Sequence, residues 1–266
     1  MLRFRNESIS IALCHDRIGG ICRKNGLTED LSVIQYDPAA VGTDSTASIK
    51  ALSVWLDGQE IKGRHASVVL SNSFVRYALI PWNDASLSSQ EEDILFQAKF
   101  EELYGDMNGW RIWADGAQYG KPRIACAVHQ ALIDRINDLW KTKGIKGGVI
   151  VPYFVACLNR WHRCLGQHSG MIVIAEMHNV VIGCFGNKKW SSLRGILSKA
   201  TPKTLSDIAF REGLLQGHSS TIPVWIHYLE TMQNGINPFV AGEKLLVLDS
   251  PSQDPCLMMA KVGCFQ

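Results

Sequence analysis

The densest group of potential ligands in this sequence is Cys157, His162, Cys164 and His168. On a helix, Cys157 and Cys164 share a face while His162 points elsewhere. Tetrahedral zinc uses tighter paired spacings, so no metal site is expected. The other cysteines are Cys14, Cys22, Cys126, Cys184, Cys256 and Cys264, and no pair has the C-x-x-C spacing. Most fall in apolar runs, where a free thiol behaves as a small buried hydrophobe. His65, His129, His218 and His227 stand at strand ends and read as packing residues. Ser71 and Ser73 lack a G-x-S-x-G context. Glu91-Glu92-Asp93 fits a helix N-terminus better than an acid/base pair. Two acids sit at hairpin tips: Asp16 in Cys14-His15-Asp16-Arg17, and Glu176 ahead of Met177-His178-Asn179. No catalytic residue is assigned.

The elements that would carry these tips occur in the same order twice. Ser8–Cys14 and Ile18–Lys24 read as paired strands, followed by a strand at Leu31–Tyr36, a helix at Thr46–Leu56 and a strand at Ala66–Ser71. Later, Met171–Glu176 and Val180–Phe185 pair, followed by a strand at Trp190–Leu197, a helix at Thr204–Leu215 and a strand at Thr221–His227. Two such halves usually face each other across a ligand cleft. No residue-level identity links them, so the repeat is architectural.

An inserted block interrupts the first half. Phe74–Pro81 is a near-continuous apolar strand. Ser88 and Ser89 ahead of the acidic run start a helix that Gly105 ends. Phe96, Phe100 and Leu103 are expected on its buried face. Trp110–Ala114 and Arg123–His129 form a hairpin across Asp115-Gly116 and Tyr119-Gly120-Lys121-Pro122. The first half then resumes with a helical stripe at Ala131–Trp140, a buried strand at Gly147–Val151 and a helix at Tyr153–Leu165. Thr201-Pro202 opens the second half's helix. Lys244–Leu248 reads as a last strand, and Leu257–Val262 as a short helix or strand. Gly19-Gly20 inside a strand marks a bulge or close packing. The expected boundaries are 1–165 for the first half, with the inserted subdomain 73–129, and 166–266 for the second.

A hydrophobic content of 46% with 20% charged residues is that of an ordinary water-soluble chain. A net charge of +2 gives no general pull toward nucleic acid. No apolar run approaches the ~18–20 residues of a membrane span. The first residues lack an apolar signal core, so a cytoplasmic location is expected.

Two halves with a strand-helix-strand-strand insertion resemble the actin-like ATPase superfamily: an α/β fold of two RNase H-like halves. The order is similar to the bacterial branch containing the cell-division protein FtsA and the pilus-assembly protein PilM. Val68-Val-Leu-Ser-Asn-Ser-Phe-Val-Arg-Tyr-Ala-Leu-Ile-Pro-Trp82, Phe100-Glu-Glu-Leu-Tyr-Gly105 with Trp110, and Val151-Pro152 with Leu158-Asn159-Arg160 resemble PilM-like and MshI-like proteins of pilus biogenesis. These stand beside the cytoplasmic part of the type II secretion protein GspL. The resemblance implies that ATP and Mg²⁺ would lie between the two hairpin turns, at Asp16 and Glu176. Such turns usually offer an aspartate followed by glycine and small hydroxyl residues, so that backbone N–H groups reach the phosphates. Neither turn here has them, and His15, Met177 and His178 are bulky. No cofactor is therefore expected.

The function expected is a non-catalytic scaffold of a pilus or secretion assembly, peripheral at the inner membrane through a partner. The resemblance implies that the partner is the cytoplasmic tail of a single-span membrane protein. An extended tail beside Phe74–Ile80 would meet Arg76, Tyr77 and Trp82, although Arg76 facing water and Tyr77 in the core is an equal reading. The alternatives are an ATP-binding member of the same fold and, more remotely, a sugar- or acetate-kinase-like enzyme. Self-association is left open.

Overall fold

The structure, a computed structural model, describes residues 8–24, 27–37, 46–85, 87–165, 168–217, 222–228, 245–247 and 254–263. Thr221, His218, Lys244, Leu248 and Cys264 lie outside these residues, as does the side chain of Cys164.

The chain opens with β1 (Ser8–Leu13), β2 (Arg17–Lys24), β3 (Leu27–Gln35), α1 (Thr46–Asp57) and β4 (His65–Leu70). The inserted block is β5 (Val75–Ile80), α2 (Ser89–Tyr104), β6 (Trp110–Ala114) and β7 (Arg123–His129). Then come α3 (Gln130–Lys143), β8 (Gly148–Pro152) and α4 (Tyr153–Leu165). The second half supplies β9 (Gly170–Glu176), β10 (Asn179–Gly186), β11 (Lys189–Leu197), α5 (Pro202–Leu215), β12 (Val224–Tyr228) and β13 (Leu245–Val247), before the last helix, α6 (Pro255–Val262).

The repeat seen in sequence is a repeat of topology. One sheet runs β3-β2-β1-β4-β8 and another β11-β10-β9-β12-β13. In each, a three-strand antiparallel meander is followed by two parallel neighbours. This is the RNase H-like arrangement, made twice. The inserted block has its own sheet, β5-β7-β6.

The described residues fall into two compact units. One comprises Met1–Phe74, His129–Arg160 and Gln253–Gln266; the other comprises Val75–Val128 and Trp161–Ser252. This partition differs from the sequence boundaries 1–165 and 166–266. The inserted block groups with the second sheet because β5 runs beside β11. The last helix groups with the first sheet because α6 packs on β1 and β2.

Gly19 and Gly20 explain how the first sheet is covered on both faces. Successive strand residues point to opposite sides. A Cβ on Gly20 would meet the Trp55 ring of α1 at 2.8 Å, and one on Gly19 would approach Cys256 of α6 at 3.3 Å. The β2–β3 register also slips between Gly19 and Ile21, the expected bulge. In the second sheet, Val180, Ile182, Val224 and Ile226 form a core with Leu205 and Ala209 of α5. Thr201 caps α5 by accepting from the Thr204 N–H, with Pro202 in the first turn.

The inserted block shows one correction. Ser88 caps α2 and Glu91 returns the bond to the Ser88 N–H, the reciprocal box that the sequence predicts. Phe96 and Phe100 are buried against Ala78, Ile80, Ala125 and Ala127. Leu103 is half exposed instead of joining them. Tyr104 takes that role: its ring stacks on Phe100 with centroids 6.0 Å apart, and its hydroxyl donates to the Tyr77 carbonyl at 2.7 Å.

Candidate functional site

The first hairpin turn joins β1 to β2, and its polar groups are used internally. The Cys14 N–H donates to the Arg17 carbonyl at 3.0 Å, closing the turn. Tyr36 then fastens the turn to the chain after β3. Its N–H donates to the Asp16 carbonyl at 2.8 Å, and its hydroxyl to the Cys14 carbonyl at 2.5 Å. Burial, with Cys14 and Asp16 nearby, pushes the Tyr36 phenol up, so it stays a neutral donor.

The charges are matched in the same way. Arg17 grips Asp16 with a fork: Nε donates to Oδ1 at 3.0 Å and Nη2 to Oδ2 at 2.9 Å. Its other nitrogen, Nη1, lies 3.6 Å from Asp254. Asp254 is the cap of α6, accepting from the Cys256 N–H at 2.8 Å. Burial pushes the Asp16 carboxyl up, but the hydrogen bonds and charge of Arg17 outweigh it and the net direction is down. The hydrogen bond to Asp16 raises Arg17 in turn. Two contacts continue the join behind the turn. The Cys256 thiol donates to the Ala12 carbonyl at 3.4 Å, and Cys14 Sγ lies 3.9 Å from Met259 Sδ. The arrangement is a clamp between the first hairpin and the last helix.

The second hairpin turn belongs to the other compact unit. Glu176 and Asn179 face each other across it, and both are buried. The Met177 and His178 carbonyls accept from Ala200 and Ser198 at 3.0 and 3.2 Å. Met177 itself is exposed at the tip. Phosphate contact at a turn needs backbone N–H groups free to converge. At the first turn, the Cys14 N–H is already engaged.

Of the three residues expected beside an extended tail, Arg76 and Tyr77 lie on β5 and Trp82 just after it. Arg76 and Tyr77 are neighbours on a strand and point to opposite faces. Tyr77 is only 2% exposed, a core residue. Arg76 does not face open water either. Its guanidinium lies 4.1 Å from the Trp110 ring centroid and 5.2 Å from that of Tyr104, with Nη1 donating to Met107 Sδ at 3.0 Å. The Tyr104 hydroxyl bonds the Tyr77 carbonyl and also lies 3.3 Å from the Tyr77 N–H. Both backbone groups that an added strand would use at this point are therefore engaged. Trp82 lies beyond β5, with Nε1 donating to Asp84 at 2.7 Å and its ring edge-on to Tyr119 at 5.3 Å.

Among the described residues no three His, Cys, Asp or Glu side chains form a metal-holding group. Cys157 is buried while His162 is exposed, and the His168 ring packs on Trp225. Burial pushes the Cys126 thiol up to about 12 and the Cys184 thiol up to about 11, far from the range of a reactive thiolate. The clamp residue Arg17 was missed by sequence reasoning. Its only local signal is an arginine beside an aspartate at a hairpin tip, and its second partner lies at the other end of the chain.

Two RNase H-like sheets with an inserted subdomain in the first half define the actin-like ATPase fold, and comparison with solved structures agrees. A Bacteroides thetaiotaomicron protein with an actin-like ATPase fold and unknown function matches all of this chain over all of its own length, at 10% identity and a TM-score of 0.66. The cytoplasmic domain of EpsL, an inner-membrane component of the Vibrio cholerae type II secretion system, matches 96% of this chain over 94% of its own, at 12% identity and a TM-score of 0.61. The PilM–PilN type IV pilus biogenesis complex contributes a chain that matches 91% of this one over 88% of its own, at 11% identity and a TM-score of 0.60. At such identities the likeness is one of fold. No family model matches the sequence, and no curated protein is close enough to count as a relative. No helix among the described residues is long and apolar enough to cross a membrane.

Proposed function

We propose that this chain is a non-catalytic docking component of a pilus- or secretion-type assembly, held at an inner membrane by the cytoplasmic tail of a single-span partner. The observation that carries this reading is the clamp at the first hairpin. The carboxylate best placed to organise Mg²⁺ is gripped by Arg17, and the turn's backbone is tied to Tyr36. An actin-like fold in this state can present surfaces but has no phosphate cradle at that turn. The full-length likeness to the EpsL cytoplasmic domain and to the PilM–PilN complex supports the choice of assembly. Of the three residues first considered for the tail, Tyr77 drops out because it is core, and Arg76 is held by its own neighbours. Trp82, partly exposed, is the one of the three that remains for the tail.

One calorimetric series tests the proposal. Mg·ATP should bind no tighter than about millimolar, a free energy of only about −4 kcal/mol. A synthetic peptide covering the cytoplasmic tail of a single-span protein from the same gene neighbourhood should bind at micromolar concentration. Micromolar Mg·ATP would overturn the non-catalytic reading in favour of an ATP-binding member of the fold. Failure of every such tail would overturn the docking reading.

A further inference from the structure

Two hairpin ends meet in the second compact unit, and neither is explained by fold or clamp. One is the 115–122 connection between β6 and β7. The other is the Asn187-Lys188 turn between β10 and β11. Gly120, Asn187 and Lys188 all have positive φ, so both hairpins reverse sharply at these points. The ends are neighbours: a Cβ on Gly120 would lie 3.8 Å from Lys189 Nζ.

Their side chains are unusual for turns that merely reverse the chain. Tyr119 is 88% exposed. Trp82, from the segment after β5, stands edge-on beneath it at 5.3 Å, so two aromatic rings share the tip. Lys188 and Lys189 are exposed, and no carboxylate among the described residues pairs with either. Lys121 adds a third ammonium, donating to Gln118 Oε1 at 2.6 Å. Two acids stand at this rim: Asp84, taken up by the Trp82 indole N–H, and Asp115 at the β6 end of the connection, close to the charge of Arg123.

We infer that these paired hairpin tips are a contact site for an anionic lipid surface. Aromatic rings with an apolar body and a polar end, flanked by lysines, suit the level of the headgroups. The positive charge is complementary to an anionic leaflet. Shape favours a membrane over a peptide. An extended peptide needs a groove or a free strand edge, whereas these side chains project from the reversal points of two hairpins. The contact shares Trp82 with the proposed docking of the partner's tail but is carried by Tyr119 and the lysines, and would orient the molecule once it is at the membrane.

The test is sedimentation with vesicles of phosphatidylglycerol and phosphatidylcholine in equal parts, compared with phosphatidylcholine alone. The protein should partition to the anionic vesicles and not to the neutral ones, and lose that partition at high salt. Each lysine near such a surface is worth about fivefold in partition. Lys188→Glu with Lys189→Glu should therefore weaken binding by about 25-fold or more, and Tyr119→Ser should weaken it further. All three positions are surface residues, so an unchanged melting temperature verifies the fold. Equal partition to both vesicle types, or no effect of the double variant, overturns the proposal. If the double variant instead loses the partner's tail while vesicles never bind, the patch belongs to a protein partner and the lipid assignment falls.

Discussion

Replacing Arg17 by Met should loosen the last helix from the first sheet. Arg17 is 17% exposed, while its partners Asp16 and Asp254 are 38% and 33% exposed. Fully exposed ion pairs are worth about 0.2–1 kcal/mol, whereas breaking a buried pair costs about 3–5. This clamp lies between those limits. Solvent screens both acids, but the substitution leaves two carboxylates near each other with no cation between them. We expect a loss of about 1–2 kcal/mol, or roughly 2–8 °C in melting temperature for a chain of this size. Amide exchange should speed up across Pro255–Val262, the helix that Asp254 caps. Arg17→Lys keeps the charge without the fork and should fall between wild type and Arg17→Met. The pH dependence has a definite sign. The Asp16 carboxyl is held below its usual range, so its contribution is complete above the unfolded value near ~4 and disappears as pH falls through the folded value. The gap between wild type and Arg17→Met should be full at neutral pH and close in acid below about pH 4. Unchanged melting and unchanged exchange in the last helix would refute the clamp.

Two further substitutions test the inserted block. Phe100 is fully buried between α2 and its sheet, so Phe100→Ala should cost about 3–5 kcal/mol and lower the melting temperature clearly; a change within error would mean that the helix does not pack there. Arg76→Ala removes the guanidinium from between Trp110 and Tyr104 and should cost about 1–2 kcal/mol by thermal unfolding, where an arginine facing only water would cost under about 0.5.

The order of elements was legible because its signals are local. Alternating apolar runs, the Ser88 cap and glycines at helix ends each act over a few residues. Gly19-Gly20 could be read as close packing because few other reasons place two glycines inside a strand. What escaped was set by tertiary partners. Leu103 and Tyr104 both fit the helical stripe, and the backbone of Tyr77 decides between them by offering the Tyr104 hydroxyl a partner. Arg76 read as an odd charge because the two rings that hold it come from α2 and β6. The last helix could not be assigned to a sheet from its own residues, since Cys256 and Met259 are as apolar as any strand would require. Its position follows from Arg17, Ala12 and Gly19.

That position bears on what a metal entering the first hairpin would do to the fold. A divalent cation at Asp16 would have to displace a guanidinium that already satisfies both carboxylate oxygens. Mg²⁺ gives up its water reluctantly and demands near-octahedral oxygen ligands, which a single aspartate beside a bulky histidine does not supply. Displacement would also strip Asp254 of its cation and weaken the end of the helix that covers β1 and β2. Binding a metal is therefore coupled to loosening part of the fold, and the coupling has a fixed sign. A cation strong enough to enter the turn should lower protection in the last helix, whereas in a working nucleotide turn a bound cation would raise stability. The closure of the hairpin itself rests on the bonds of Arg17 and Tyr36.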